Sequence, residues 1–84
     1  MRYRVLIERR AQRELDRLPV AIRQRLNAAI ARLAGDPRPT GCLKLRGEDA
    51  WRIRVGVYRV IYEIQDDRLI VTVIRLGHRR DVYR

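Results

Sequence analysis

The sequence predicts an α+β fold: an N-terminal strand and a helical hairpin packed on a mostly antiparallel sheet, in the order β-α-α-β-β-β. Three observations carry that prediction. Apolar residues recur at helical spacing through the first half of the chain and at a period of two through the second. Between the two regimes lies Asp36-Pro37-Arg38-Pro39-Thr40-Gly41, which cannot continue a helix. The length, 84 residues, suits one small domain and is too short for two, so residues 1–84 are read as a single domain.

Residues 3–7 read as a short first strand. From Glu8 to Leu18, Ala11, Leu15 and Leu18 take the i, i+4, i+7 spacing of one helix face. Pro19 stops that helix and opens the next, because proline is tolerated in a first turn. Ile22, Leu26, Ala29, Ile30 and Leu33 then form one apolar stripe, and Gly35 stands where a C-terminal cap is expected. After the loop, Trp51-Arg52-Ile53-Arg54-Val55 and Tyr58-Arg59-Val60 alternate as strands do. The last run, Leu69 to Leu76, is apolar at nearly every position, which places it inside the sheet, covered on both faces.

Lys+Arg is 20 against Asp+Glu 10, a formal net charge of +10, and Lys44 is the only lysine in the chain. Such a field attracts polyanions or an acidic protein. Residues 1–41 hold ten bases and four acids and residues 42–84 ten and six, so the excess covers the whole surface. With 46% hydrophobic residues the chain reads as a folded domain and not as a basic disordered tail. Cys42 is alone, which excludes an internal disulfide and a cysteine-based zinc site and suggests a buried, inert thiol. No apolar run approaches a signal sequence or a membrane span, so a cytoplasmic location without membrane contact is expected. Neither a phosphate loop nor an HExxH or dinucleotide signature is present, and no metal or cofactor is expected.

Gly56-Val57 separates two alternating runs, and glycine at the first central position suits a two-residue type II′ hairpin turn. That turn sets a register in which Val55 faces Tyr58, Ile53 faces Val60 and Trp51 faces Tyr62, so these six side chains share the helix-facing side. On the other side Arg54 faces Arg59, with Arg52 one pleat away opposite Ile61. Like charges opposed across strands cost about 0.2–1 kcal/mol, and an anion between them removes that cost. Arginine, a permanently charged planar fork of donors, suits a phosphate and the charge that develops on it in a reaction. Gly77 permits a bend that would turn Arg79 of the basic tail toward this cluster. The pairs Glu48-Asp49 and Asp66-Asp67 read as turn residues. The helical arginines read mostly as a solvated face.

The blocks Leu43-Lys44-Leu45-Arg46-Gly47, Trp51 to Tyr62 and Gly77-His78-Arg79-Arg80-Asp81-Val82-Tyr83 resemble the RelE/ParE superfamily of bacterial toxins across essentially the whole chain. Members similar to RelE are ribosome-dependent endoribonucleases that cut messenger RNA. Members similar to ParE poison DNA gyrase, and both kinds are neutralised by a cognate antitoxin. The resemblance implies that Arg52 and Arg54 bind and polarise the scissile phosphate and that Arg59 stabilises the transition state. It implies that Arg79 assists the leaving group and that Tyr83 positions the nucleotide or moves a proton, with Lys44, Arg46 and Arg80 binding RNA. The best-known member has lysine where Arg52 and Arg54 stand. Arginine keeps its proton at neutral pH, so these positions act electrostatically and not as bases. Proton removal then falls to Tyr83, to the auxiliary candidate His78 or to a ribosomal group. The expected partners are an acidic antitoxin, in a hetero-oligomer, together with the ribosome and messenger RNA. A gyrase-binding toxin and an inactive antitoxin-binding module are the competing readings.

Overall fold

A computed structural model of the chain describes residues 2–78. The helical half is the hairpin that Pro19 requires: α1 spans Arg9–Asp16 and α2 spans Val20–Arg32, with Pro19 as the N-cap of α2. The remaining elements are strands: β1 (Arg4–Ile7) before the hairpin, then β2 (Leu43–Lys44), β3 (Trp51–Val55), β4 (Tyr58–Gln65) and β5 (Ile70–His78). They form one sheet in the order β1-β5-β4-β3-β2, antiparallel except that β1 runs parallel to β5. The α+β class therefore holds, with β5 an interior strand. One strand is additional to the expected order, since β2 is a two-residue edge paired to Arg52 and Trp51. Two residues are too few to display an alternating pattern.

Both helices turn the expected stripes onto one face of the sheet. Ala11, Leu15, Leu26, Ala29, Ile30 and Leu33 are buried against Ile53, Val60, Tyr62, Val71, Val73 and Leu76. Leu18 and Ile22, which flank Pro19, pack at the margin of this layer. Burying a leucine such as Leu15 or Leu26 contributes about 1.5–3 kcal/mol, so this layer dominates stability. Cys42 is half-buried at its edge rather than fully enclosed.

A β-bulge decides how β5 is phased. Tyr62 pairs with Val73, but Ile61 pairs with Arg75, which leaves Ile74 as an extra residue on β5. Side chains alternate along a strand, so one inserted residue moves everything beyond it to the opposite face. Val71 and Val73 face the helices before the bulge and Leu76 faces them after it. The strand edge left open beyond β1 is held by α1, where the Glu14 carboxylate accepts the Leu76 amide hydrogen at 3.2 Å.

The Asp36–Gly41 loop is fastened by polar contacts that composition does not reveal. The Tyr62 hydroxyl donates to the Pro37 carbonyl at 2.8 Å. Arg38 makes a two-pronged pair with Asp66, at 2.8 and 3.2 Å, and its guanidinium lies 5.0 Å from the Trp51 ring centre. The Tyr3 hydroxyl donates to the same Asp66 carboxylate at 2.6 Å. Hydrogen bonds from Arg38 and then Tyr3 hold the Asp66 carboxyl down at about 2. A depressed carboxyl stabilises the folded state above its unfolded value, about 3.9. That contribution is lost as pH falls through the folded value of about 2. Between about pH 5 and 2 the urea midpoint of the native chain is therefore expected to fall more than that of Asp66→Asn. Parallel pH profiles for the two proteins would remove the pair from the stability argument. Asp66 is exposed, so added salt is expected to narrow the difference.

Candidate nucleic-acid interface

The hairpin between β3 and β4 turns at Gly56, whose φ is +62°, while Val57 keeps a negative φ, as a type II′ turn demands. The positive φ is what favours glycine here, since the nearest atom to a Cβ at this position would be Nη2 of Arg25 at 3.4 Å, the far end of a flexible side chain in ordinary contact. The resulting register is the expected one: Val55 with Tyr58, Arg54 with Arg59, Ile53 with Val60, Arg52 with Ile61 and Trp51 with Tyr62. In a two-residue hairpin the first pair exchanges hydrogen bonds, so Arg54 and Arg59 form the next, closer pair, with Cα atoms about 4.5 Å apart.

Arg52, Arg54 and Arg59 thus share the face turned away from the helices. Arg54 is exposed, whereas Arg52 and Arg59 are half-buried. The bulge adds a fourth arginine. Arg75 lies opposite Ile61, on the far side from Arg52, and Gly77 lies opposite Arg59. Ile61 is buried on this polar face, flanked in register by Arg52 and Arg75, whose aliphatic stems suit such a position. Arg75 was absent from the sequence-derived set because its phase depends on an irregularity that alternation cannot anticipate. The apolar character of the run from Leu69 to Leu76 masked it further.

The other expected site residues divide by position. His78 pairs with Tyr58, and their rings meet edge to face at a centroid distance of 5.3 Å. That contact puts His78 on the helix side of the sheet, so the structure does not bring it to the arginine face. Lys44 pairs with Trp51, also on the helix side, with its Nζ 3.8 Å from Asp49 Oδ1. Arg46 is exposed in the turn joining β2 to β3. Arg79, Arg80 and Tyr83 lie outside the described residues. Among the described residues no three His, Cys, Asp or Glu side chains gather into a metal-binding group. No helix among them is long and apolar enough to cross a membrane.

A sheet face with four arginines, two of them directly opposed, can grip an anion in bidentate fashion and stabilise added negative charge. Comparison with known proteins agrees with the fold that creates this face. Residues 5–83 match the family described as the ParE toxin of type II toxin-antitoxin systems, parDE. The chain belongs to the RelE/ParE toxin superfamily. It is 36% identical to Toxin RelG of Mycobacterium tuberculosis over 100% of this chain and 99% of that protein. It is 30% identical to the mRNA interferase toxin RelE of Escherichia coli K12, over 94% of this chain and 85% of the relative. The archaeal RelE of the RelE-RelB complex from Pyrococcus horikoshii superposes with a TM-score of 0.86 at 31% identity, covering 98% of this chain and 100% of that one. This RelE/ParE-family chain is the toxin component of a type II toxin-antitoxin system. Its helices and five-stranded sheet are those of the RelE toxins.

Proposed function

We propose that this toxin is a ribosome-dependent messenger-RNA endoribonuclease of the cytoplasm, neutralised in a hetero-oligomer by a cognate acidic antitoxin. The observation that carries the reading is the direct opposition of Arg54 and Arg59 on a face shared with Arg52. An anion held between the two groups offsets their mutual repulsion, and two planar guanidinium forks suit a phosphate. The relative named mRNA interferase supports the choice of RNA, and the relatives solved with RelB support the antitoxin.

In the proposed reaction the RNA 2′-oxygen attacks the adjacent phosphorus as the bond from phosphorus to the 5′-oxygen breaks. The products are a 2′,3′-cyclic phosphate and a free 5′-hydroxyl. The proton lost by the 2′-hydroxyl goes to Tyr83 as its phenolate or to a ribosomal group, and the departing 5′-oxygen takes a proton from water while Arg79, which keeps its own, offsets its charge. Arg52 and Arg54 neutralise the non-bridging oxygens. Arg59 meets the charge that accumulates in the transition state. Lys44, Arg46 and Arg80 would contact flanking RNA. Fixed guanidinium charges serve here where other nucleases employ a cation, so the reaction as drawn requires no metal.

Induced expression followed by primer extension on abundant transcripts is expected to show new 5′ ends inside translated regions within minutes. Growth arrest without such ends would sink the nuclease reading. The ParE description of the family match supports a second reading, gyrase inhibition by binding, whose mark would be lost supercoiling with intact transcripts. The opposed arginines weigh against it, because a protein that only binds has no need of charges grouped around one phosphate-sized space.

A further inference from the structure

The arginine face is built in two rows. Arg54, Arg59 and Gly77 lie side by side across β3, β4 and β5 in the first, and Arg52, Ile61 and Arg75 in the second. Two residues separate the rows along each strand, a step of about 6.8 Å. In the second row Ile61 is buried, and the half-buried Arg52 and Arg75 flank it at one strand spacing, ~4.8 Å, on either side. That apolar floor lowers the local dielectric and strengthens the pull of both charges on an anion.

Arg75 does not duplicate Arg54 or Arg59. Gly77 contributes no side chain opposite Arg59, so Arg75 meets Arg59 only diagonally, with Cα atoms about 7–8 Å apart. From Arg54 it is separated by two strand spacings and by the step between rows, about 12 Å. Its Nε is buried, which fixes the stem against the sheet and leaves the outer fork of the guanidinium to work above its own position. The directly opposed Arg54 and Arg59 thus frame one anion, and Arg75 stands beside the place of a second. The patch ends beyond it, because the next residue of β4 on this face, the exposed Glu63 paired with Thr72, carries negative charge.

We propose that Arg75, with Arg52 across Ile61, holds the phosphate next to the scissile one, so that the two rows bind two successive phosphates of one RNA strand. The step between rows is comparable with the step between successive phosphates of an extended strand, and proteins that bind single strands track the backbone with positive charge in this way. A contiguous diphosphate fits less well, since its two groups share an oxygen and are too close to occupy both rows. Holding the neighbouring phosphate fixes the register of the strand, which places the scissile phosphate between Arg54 and Arg59 without demanding a particular base.

This assignment rests on the RNA substrate of the proposed function and names a second subsite for it. The test titrates the full chain with thymidine 3′,5′-bisphosphate, thymidine 5′-monophosphate and thymidine 5′-diphosphate, read by NMR of the arginine Nε–H and backbone amide signals. None of the three has a 2′-hydroxyl, so the outcome does not depend on cleavage. The native chain is expected to prefer the bisphosphate. Arg75→Met keeps an apolar stem over Ile61 and is expected to cost the bisphosphate about tenfold in affinity, the loss of one charged hydrogen-bonding partner. The monophosphate and the diphosphate are expected to change by less than about twofold, because salt weakens a charge acting from one row away. Arg75→Gln serves the same purpose if melting shows the methionine variant to be unfolded. Equal losses for all three ligands would put Arg75 on the scissile phosphate and overturn the proposal. Unchanged affinities would overturn it too, as would a native chain without preference for the bisphosphate, or a loss for the diphosphate as large as that for the bisphosphate. Arg59→Ala is expected to weaken all three ligands. If it weakens none, the scissile-phosphate site of the proposed function fails, and the second position with it.

Discussion

Arg59→Ala is expected to lower transcript cleavage about 10²–10³-fold, the loss measured when a single preorganised donor is removed from a transition-state charge site. Stability is expected to move little. Removing one of two opposed arginines relieves about 0.2–1 kcal/mol of repulsion. The half-buried Arg59 stem gives back part of that through lost packing. Primer extension and thermal melting on the same preparation test both halves. A variant that melts with the native protein but no longer cuts separates chemistry from folding. Arg59→Lys retains charge without the planar fork and is expected to fall between the two. Cleavage at the native rate by Arg59→Ala would remove this residue from the mechanism and weaken the claim for the whole face.

Insertion of one alanine after Ile74 is expected to be the most damaging change to the fold. Beyond the bulge the native chain places Arg75 opposite Ile61 and Leu76 opposite Val60. One more residue displaces both by one place, so Leu76 would turn out of the helix-facing layer, forfeiting about 1.5–3 kcal/mol of burial. Arg75 would turn into that layer, where an unpaired guanidinium costs more still. For a domain of this size, about 3 kcal/mol corresponds to a fall in Tm of more than ~10 °C. Deletion of Ile74 removes the bulge yet leaves Arg75 opposite Ile61 and Leu76 opposite Val60, so it separates the bulge itself from the phase that it sets. Equal melting temperatures for the insertion and the native protein would show that β5 tolerates either phase.

Much of the fold was legible because its signals are local. Pro19 had to divide the helices, the stripes from Ala11 to Leu33 had to face a common layer, and Gly56 had to form the tight turn. From that turn the register of β3 against β4 follows by counting, and with it the opposition of Arg54 and Arg59. The candidate site was legible to the same extent and no further. Strand β2 was invisible because two residues carry no period. Arg38 resembled any loop arginine, yet it joins Trp51 and Asp66 across the end of the sheet.

His78 and Arg75 show where local reading stops. They are three residues apart on one strand, and a regular strand would also place them on opposite faces. What the bulge sets is which of them faces the helices. The sequence by itself determined the class of the fold, the β3–β4 hairpin and the permanent charge of its arginines, because each depends on neighbours in the chain. Only the tertiary structure decided the phase of β5, the side on which His78 lies and the place of Arg75 on the arginine face. Those depend on pairing between segments far apart in sequence, where one inserted residue reverses a face.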